Sequence, residues 1–341
     1  MDAHRRRRRF VAVAAAAAVA ALAAVPTTPV RASGSASTDG AITRARPDGK
    51  LVPERGVLFG AFQDLDSRWT GLRSEKRAIR RYERKLGRKL RIDHHFYDWG
   101  QSWPGDFERW DVRHNRIPMV TWEPNGVDLD DIVDGRHDAL IRERARQAAG
   151  FGRRLFLRWA HEMNGYWYSW GGPNNHDPGT RNGPSKYVAA WRHVHDVFVR
   201  EGATNVVWVW GPNNESVPFD SWNHWRSYYP GDAYVDWVAA SGFNWGTLES
   251  WSSWRSFLRC FRPFYDDYAG RKPIMVAETG STTRGGNRAK WVWNMSADVR
   301  RKLPGVAAIV YFNSDPRWTI APRSTGFGAL RRVANSGYFK P

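Results

Sequence analysis

A single cysteine, Cys260, stands in 341 residues. A disulfide framework within the chain is therefore excluded, as is any zinc or redox cluster built on cysteines, and a buried structural thiol is the expected role of that side chain. Past the N-terminal region no apolar run approaches the roughly 20 residues that span a bilayer, so no stable membrane insertion is expected. No segment of 20 to 50 residues recurs, and a repeat architecture has no support. A glycine-rich phosphate loop after a strand is also missing. The segment from His161 to Gly165 lacks the second histidine of His-Glu-x-x-His, which removes nucleotide chemistry and a zinc-protease site from consideration. No cofactor and no metal are expected.

Acidic residues are in the minority, 34 against 52 Lys and Arg, for a formal net charge of +18. Part of that excess belongs to residues 1–32, where Arg5 to Arg9 precede an Ala/Val run from Val11 to Val25. A positive segment, an apolar run too short to span, and a small-residue pattern at Val30, Arg31 and Ala32 read as a signal peptide, and hence as a secreted protein. Arg7, Arg8, Arg9 and Phe10 fit a twin-arginine signal only loosely, which leaves the export route open. Residues 33–50, rich in Ser, Ala, Gly and Thr, read as a flexible lead-in, and 51–341 as one domain. The remaining basic residues alternate with apolar ones at helical spacing from Glu75 to Arg91 and from Ile141 to Arg154. Solvated outer helix faces explain them better than a nucleic-acid groove does, so nucleic acid is not expected as a partner. A monomer is the default expectation, since no long exposed apolar stripe is apparent.

Apolar residues make up 42% of the chain and aromatics 14%, including 20 Trp, enough for a large core with rings left over. Eight short runs rich in Val, Ile, Phe and Trp read as strands: Val57 to Gln63, Leu90 to Phe96, Ile117 to Trp122, Arg154 to Ala160, Asn205 to Trp210, Val235 to Phe243, Pro273 to Glu278 and Val306 to Asn313. Helical periodicity marks Glu75 to Arg88, Asp138 to Ala149, Lys186 to Arg200 and Asn287 to Leu303 between them. Eight βα units in about 290 residues predict an α/β fold, a closed (β/α)₈ TIM barrel forming a single catalytic domain.

In such a barrel the C-terminal ends of the strands carry the chemistry. Two carboxylates end strands here, Glu162 after strand 4 and Glu278 after strand 7. Glycoside hydrolysis requires a pair of this kind, one carboxyl protonated to assist the leaving oxygen and one ionised to attack the anomeric carbon. Sugar faces pack on aromatic planes, and a groove floored by Trp122, Trp167, Trp170, Trp245 and Trp318 suits a polysaccharide.

The run Arg158-Trp159-Ala160-His161-Glu162-Met163-Asn164-Gly165, with Trp167 and Trp170-Gly171-Gly172 behind it, resembles the acid/base motif of glycoside hydrolase family 26. Ala277-Glu278-Thr279-Gly280 resembles that family's nucleophile motif, and Tyr311-Phe312-Asn313 followed by Trp318 its strand 8 signature. The family holds mainly endo-β-1,4-mannanases, with β-1,3-1,4-glucanases and β-1,3-xylanases as minorities, all retaining. The resemblance implies a secreted endo-β-glycosidase cleaving mannan or glucomannan, with Glu162 as acid/base and Glu278 as nucleophile. It also implies that His161 contacts the sugar or the neighbouring carboxylate and that Trp318 stacks under the sugar at the cleavage point. Arg158 is placed to orient a carboxylate, and His95 to contact sugar, while His94 is expected to be packed. One departure stands out: where the family shows Gly-Tyr-Asn-Trp after strand 6, this chain has Gly242-Phe243-Asn244-Trp245. The missing hydroxyl removes a hydrogen-bond donor and is expected to raise the nucleophile's pKa. Phe243 also motivates a reading of another class, a carbohydrate-binding protein that has lost catalysis, against which the presence of both glutamates stands.

Overall fold

A computed structural model describes residues 50–63 and 72–341. The expected signal peptide (1–32) and the lead-in as far as residue 49 lie outside the described residues. Eight parallel strands close into a barrel in chain order: β1 (Leu58–Gln63), β2 (Ile92–Asp98), β3 (Ile117–Glu123), β4 (Leu155–Trp159), β5 (Val206–Trp210), β6 (Trp237–Asn244), β7 (Ile274–Ser281) and β8 (Val306–Asn313). Helices fill the connections: α1 (Leu72–Leu86), α2 (Asp106–Arg113), α3 (Leu129–Val133), α4 (Asp138–Phe151), α5 (Gly183–Arg200), α6 (Phe257–Tyr268), α7 (Arg288–Arg301) and α8 (Phe327–Asn335). The described residues therefore form the expected TIM barrel as one domain. The β5–β6 connection is the exception to the βα alternation, since it crosses the barrel mouth with only short 3₁₀ turns, among them Ser221–Asn223 and Trp225–Tyr228.

Strand periodicity divides the core in two. Leu58, Ile92, Ile117, Met119, Phe156, Val207, Val209, Trp237, Met275 and Val310 fill the barrel interior, whereas the alternate residues pack outward under the helices. The outer layer absorbs many of the tryptophans: Trp103, Trp122, Trp159, Trp191 and Trp210 are all fully buried, and their area is a large part of what holds helices on sheet. Local signals end the helices. The Ser256 hydroxyl accepts from the Arg259 amide at the start of α6, Asn287 caps α7 through the Lys290 amide, and Gly152 closes α4 with φ of 64°. Cys260 lies buried in α6, as its composition suggested. At the N-terminal end of the barrel the last residues seal β1, with the Val57 amide donating to the Tyr338 carbonyl at 2.8 Å and the Phe339 ring edge-on to Phe59.

Candidate active site

At the opposite, C-terminal end of the strands lies a cleft lined by Phe96, Glu123, Glu162, Trp167, Tyr168, Asn213, Phe243, Trp245, Glu278, Phe312 and Trp318, among others. Two irregularities of the backbone aim its carboxylates. β4 stops at Trp159, and Ala160 and Glu162 take φ of 44° and 53°, a left-handed conformation that non-glycine residues seldom adopt. The Glu162 amide donates to the Gly211 carbonyl at 2.9 Å, tying this kink to the end of β5. On β7, Met275 and Ala277 point into the barrel, so strict alternation would turn Glu278 outward. The pairing register slips at this place against both neighbours: Val276 sits opposite Ala240, yet Glu278, not Ala277, sits opposite Ser241. The extra residue returns Glu278 to the mouth.

The two glutamates are about 95% buried, and a carboxylate oxygen of each, together with a ring nitrogen of His161, lies within 4.8 Å of the others. Arg158 comes from the interior face of β4, fully buried. Its guanidinium donates to Glu278 Oε1, and also to Thr121 Oγ1 at 3.1 Å and Ser241 Oγ at 3.2 Å. Glu162 accepts from Trp167 Nε1 at 2.8 Å. Burial pushes both carboxyls up. Glu278 reaches about 7, with Arg158 pulling it down and the nearby Glu162 pushing it further up; Glu162 is raised, against the lowering effect of Arg158 and of hydrogen bonds from its neighbours. Since two such close carboxyls resist bearing two charges, they titrate together, and the direct guanidinium contact favours the charge on Glu278 and the proton on Glu162. His161 shares a hydrogen bond of 3.0 Å with the Tyr168 hydroxyl and stands 4.0 Å from Glu278. Burial, and then the charge of Arg158, hold its pKa well below the usual value, so the ring is neutral.

The profile of glycosyl hydrolase family 26 matches residues 85–264, more than half of the chain. The chain belongs to glycosyl hydrolase family 26. It is 35% identical over 279 residues to Endoglucanase H of Acetivibrio thermocellus, a match covering 80% of this chain but 30% of that protein. A shorter match, 37% over 93 residues, links it to mannan endo-1,4-beta-mannosidase A and B of Caldalkalibacillus mannanilyticus, covering 26% of this chain and 16% of that one. The chain thus spans less than a third of either relative. Among solved structures, the catalytic domain of the family 26 endo-beta-1,4-mannanase of Bacillus sp. JAMB-750 superposes with a TM-score of 0.61 at 17% identity, over 83% of this chain and 87% of that one; this likeness concerns the fold.

In this member of family 26 the structure brings Glu162, Glu278, Trp167, Phe243, Trp245 and Trp318 to one cleft, with Arg158 and His161 directly behind. Trp318 stands in the cleft because Gly280 leaves it room: a Cβ there would come within 2.7 Å of the Trp318 Cβ. Phe243 stacks on Trp318 at 4.9 Å. Three expected sugar contacts lie elsewhere. His95 follows an outward position of β2; its Nε2 is 2.8 Å from Asp111 of α2, beside the buried Asp93, outside the barrel. His94 instead faces inward, with Nε2 2.7 Å from Thr121 Oγ1, the same hydroxyl that accepts from Arg158. Trp122 also points outward, fully buried and stacked on Trp99 at 4.2 Å. Trp170 is fully buried behind the cleft, stacked on Tyr168 at 4.3 Å with its Nε1 donating to the His161 carbonyl, so it supports the site without facing it.

Other residues line the cleft without having been singled out from the sequence. Glu123, the last residue of β3, is a third buried carboxyl, pushed up to about 8 by burial and then by the charges of Asp98 and Glu278. Its position at a strand end was a usable signal. Tyr168, with its hydroxyl amid the carboxylates, and Asn213 and Phe219 from the β5–β6 connection line it as well.

Proposed function

We propose that this hydrolase is a secreted, retaining endo-β-glycosidase of mannan or glucomannan, in which Glu278 is the nucleophile and Glu162 the acid/base. The observation that carries the reading is the carboxylate pair held within 4.8 Å with Arg158 on one member only. Retaining hydrolysis works with carboxyl groups about 5–5.5 Å apart, whereas inversion needs about 6.5–9.5 Å to admit a water between them and the sugar. Glu278 attacks the anomeric carbon as the bond to the leaving sugar breaks, and Glu162 gives its proton to the departing oxygen. The ionised Glu162 then takes a proton from water, which attacks the same carbon and frees Glu278.

Residue roles support mannan through the strand 4, 7 and 8 motifs and the mannanase relative. β-Glucan is the second reading, favoured by the long match to Endoglucanase H. That match spans 30% of the relative, whose name need not describe the aligned segment. Reducing-sugar release from linear mannan, glucomannan, mixed-linkage β-glucan and β-1,3-xylan separates the substrates, and NMR of the first-formed anomer separates retention from inversion. The expected result is mannan or glucomannan cleavage with the β-anomer first, at least 10³-fold slower in Glu278→Ala and Glu162→Ala. An α-anomer formed first would overturn the mechanism, and cleavage of the glucan alone would transfer the substrate assignment to it.

A further inference from the structure

Among the described residues only five large apolar side chains are exposed, and two of them, Phe219 and Trp251, line the cleft. Phe219 is 91% exposed, more than any other. A lone exposed ring is ordinary on a protein surface; one fixed at the rim of a buried catalytic pair is not. The fixing is done by Asn164, fully buried and two residues beyond Glu162. Its amide nitrogen donates to the Asn213 carbonyl at 2.9 Å and to Ser216 Oγ at 3.1 Å, and its side-chain oxygen accepts from the Asn213 amide at 2.8 Å. Its backbone carbonyl accepts from the Val217 amide at 2.9 Å and from Asn223 Nδ2 at 3.0 Å. Asn223 also donates to the Pro218 carbonyl at 2.9 Å. The chain is thus anchored immediately before Phe219 and four residues after it, to the loop that carries Glu162.

The other exposed ring belongs to the other half of the cleft. Trp251 lies 5.4 Å from Trp245, which meets Trp318 at 4.8 Å, and Trp318 rests on Gly280 of the nucleophile strand. We infer that Phe219 is the platform of a subsite for the leaving-group half of the glycan, stacking against the apolar face of a pyranose ring beyond the scissile bond. The inference rests on reading Glu162 as the acid, because the departing oxygen must lie against the proton donor and the chain it carries must run on past that side. With the backbone on both sides of it already anchored, the ring stacks on a sugar without the cost of ordering the loop that carries it. A subsite of this kind favours substrates that continue past the cleavage point, which is the behaviour of an endo-acting enzyme.

Steady-state kinetics of the full chain on its preferred polysaccharide and on matching oligosaccharides of increasing length test this, with Phe219→Ala, Phe219→Trp and, as a surface control, Trp293→Ala on α7. Phe219→Ala is expected to raise KM for the polymer about 5- to 10-fold with kcat within about twofold, to shift oligosaccharide cleavage towards bonds nearer the reducing end, and to be rescued by Phe219→Trp. Trp293→Ala leaves all three unchanged. An unaltered KM and cleavage pattern in Phe219→Ala would overturn the platform, as would an equal fall in kcat on every substrate accompanied by a lower Tm. Failure of the underlying reading is seen separately. If Glu162→Ala stays active while Phe219→Ala weakens glycan binding by calorimetry, the ring binds sugar but not on an acid flank, and the leaving-group assignment falls.

Discussion

Arg158 shows how one residue can divide the work of two carboxyls. It touches Glu278 and not Glu162, and it is held from behind by Thr121 and Ser241. Phe243 offers Glu278 no hydroxyl, so this guanidinium is the donor the structure gives the nucleophile. Both glutamates are lowered by Arg158 against the rise caused by burial. Arg158→Met should therefore raise the pKa at which the nucleophile is lost, moving the acid limb of the kcat/KM profile upward by about one unit or more. The rate at the optimum should fall at least 10²-fold. An acid limb left in place would mean that another group sets the charge of Glu278. At this scale the sequence told much about the carboxylates and less about the rings. Glu162, just past β4, and Glu278, within β7, lie in motifs that fix their place, whereas Trp122 and His95 needed the parity of their strands counted from Ile117 and Ile92. Trp170 was beyond such counting, because it sits in a loop whose course depends on Tyr168 and His161. Phe219 gave no signal, lying in a connection without periodicity.

Between β2 and α2 the same parity buries an unusual polar cluster. Asp93 and His95 point outward from β2 towards Asp111, with Arg116 bound to Glu83 alongside. Burial, then the like charge of Asp111, hold the Asp93 carboxyl well above the usual range, and burial lifts Asp111 to about 8. An acid whose pKa is raised by folding contributes fully below its unfolded value near 4, and the contribution is lost as pH climbs towards the folded value. Asp93→Asn escapes that loss. The variant should match wild type near pH 4 and exceed it by a margin in Tm that widens as pH rises. Thermal melts across pH 4 to 8 check this; a gain that does not grow with pH would place the pair's proton elsewhere. The strands were legible because eight apolar runs recur along the chain, with helical spacing marking four of the connections between them. Their edges were not, since β2 and β7 continue through polar residues, Tyr97 and Asp98 in one and Thr279 to Ser281 in the other, that no apolar pattern marks.

The barrel as a whole keeps chemistry and stability at opposite ends. The cleft gathers strained backbone, buried charge and exposed rings at the C-terminal mouth, and the other end is closed by apolar packing of the chain's last turn. Phe339 is fully buried against Phe59, and the neighbouring Tyr338 carbonyl takes the Val57 amide that begins β1. The guanidinium of Arg88 donates to the Ala334 and Phe339 carbonyls, so this closure also ties β1, the end of α1 and α8 together. Removing a buried phenyl ring costs about 3–5 kcal/mol, and in a domain of this size that lowers Tm by roughly 6–15 °C. Phe339→Ala should show that loss while keeping KM and kcat at 25 °C within about twofold of wild type, because the layers of Phe156, Trp237 and their neighbours in the barrel interior separate the closed end from the cleft. Melting and kinetics on the same preparation decide the matter: a lower Tm with unchanged KM keeps the two ends independent, and a raised KM would mean that closure at the base sets the spacing of Glu162 and Glu278 at the mouth.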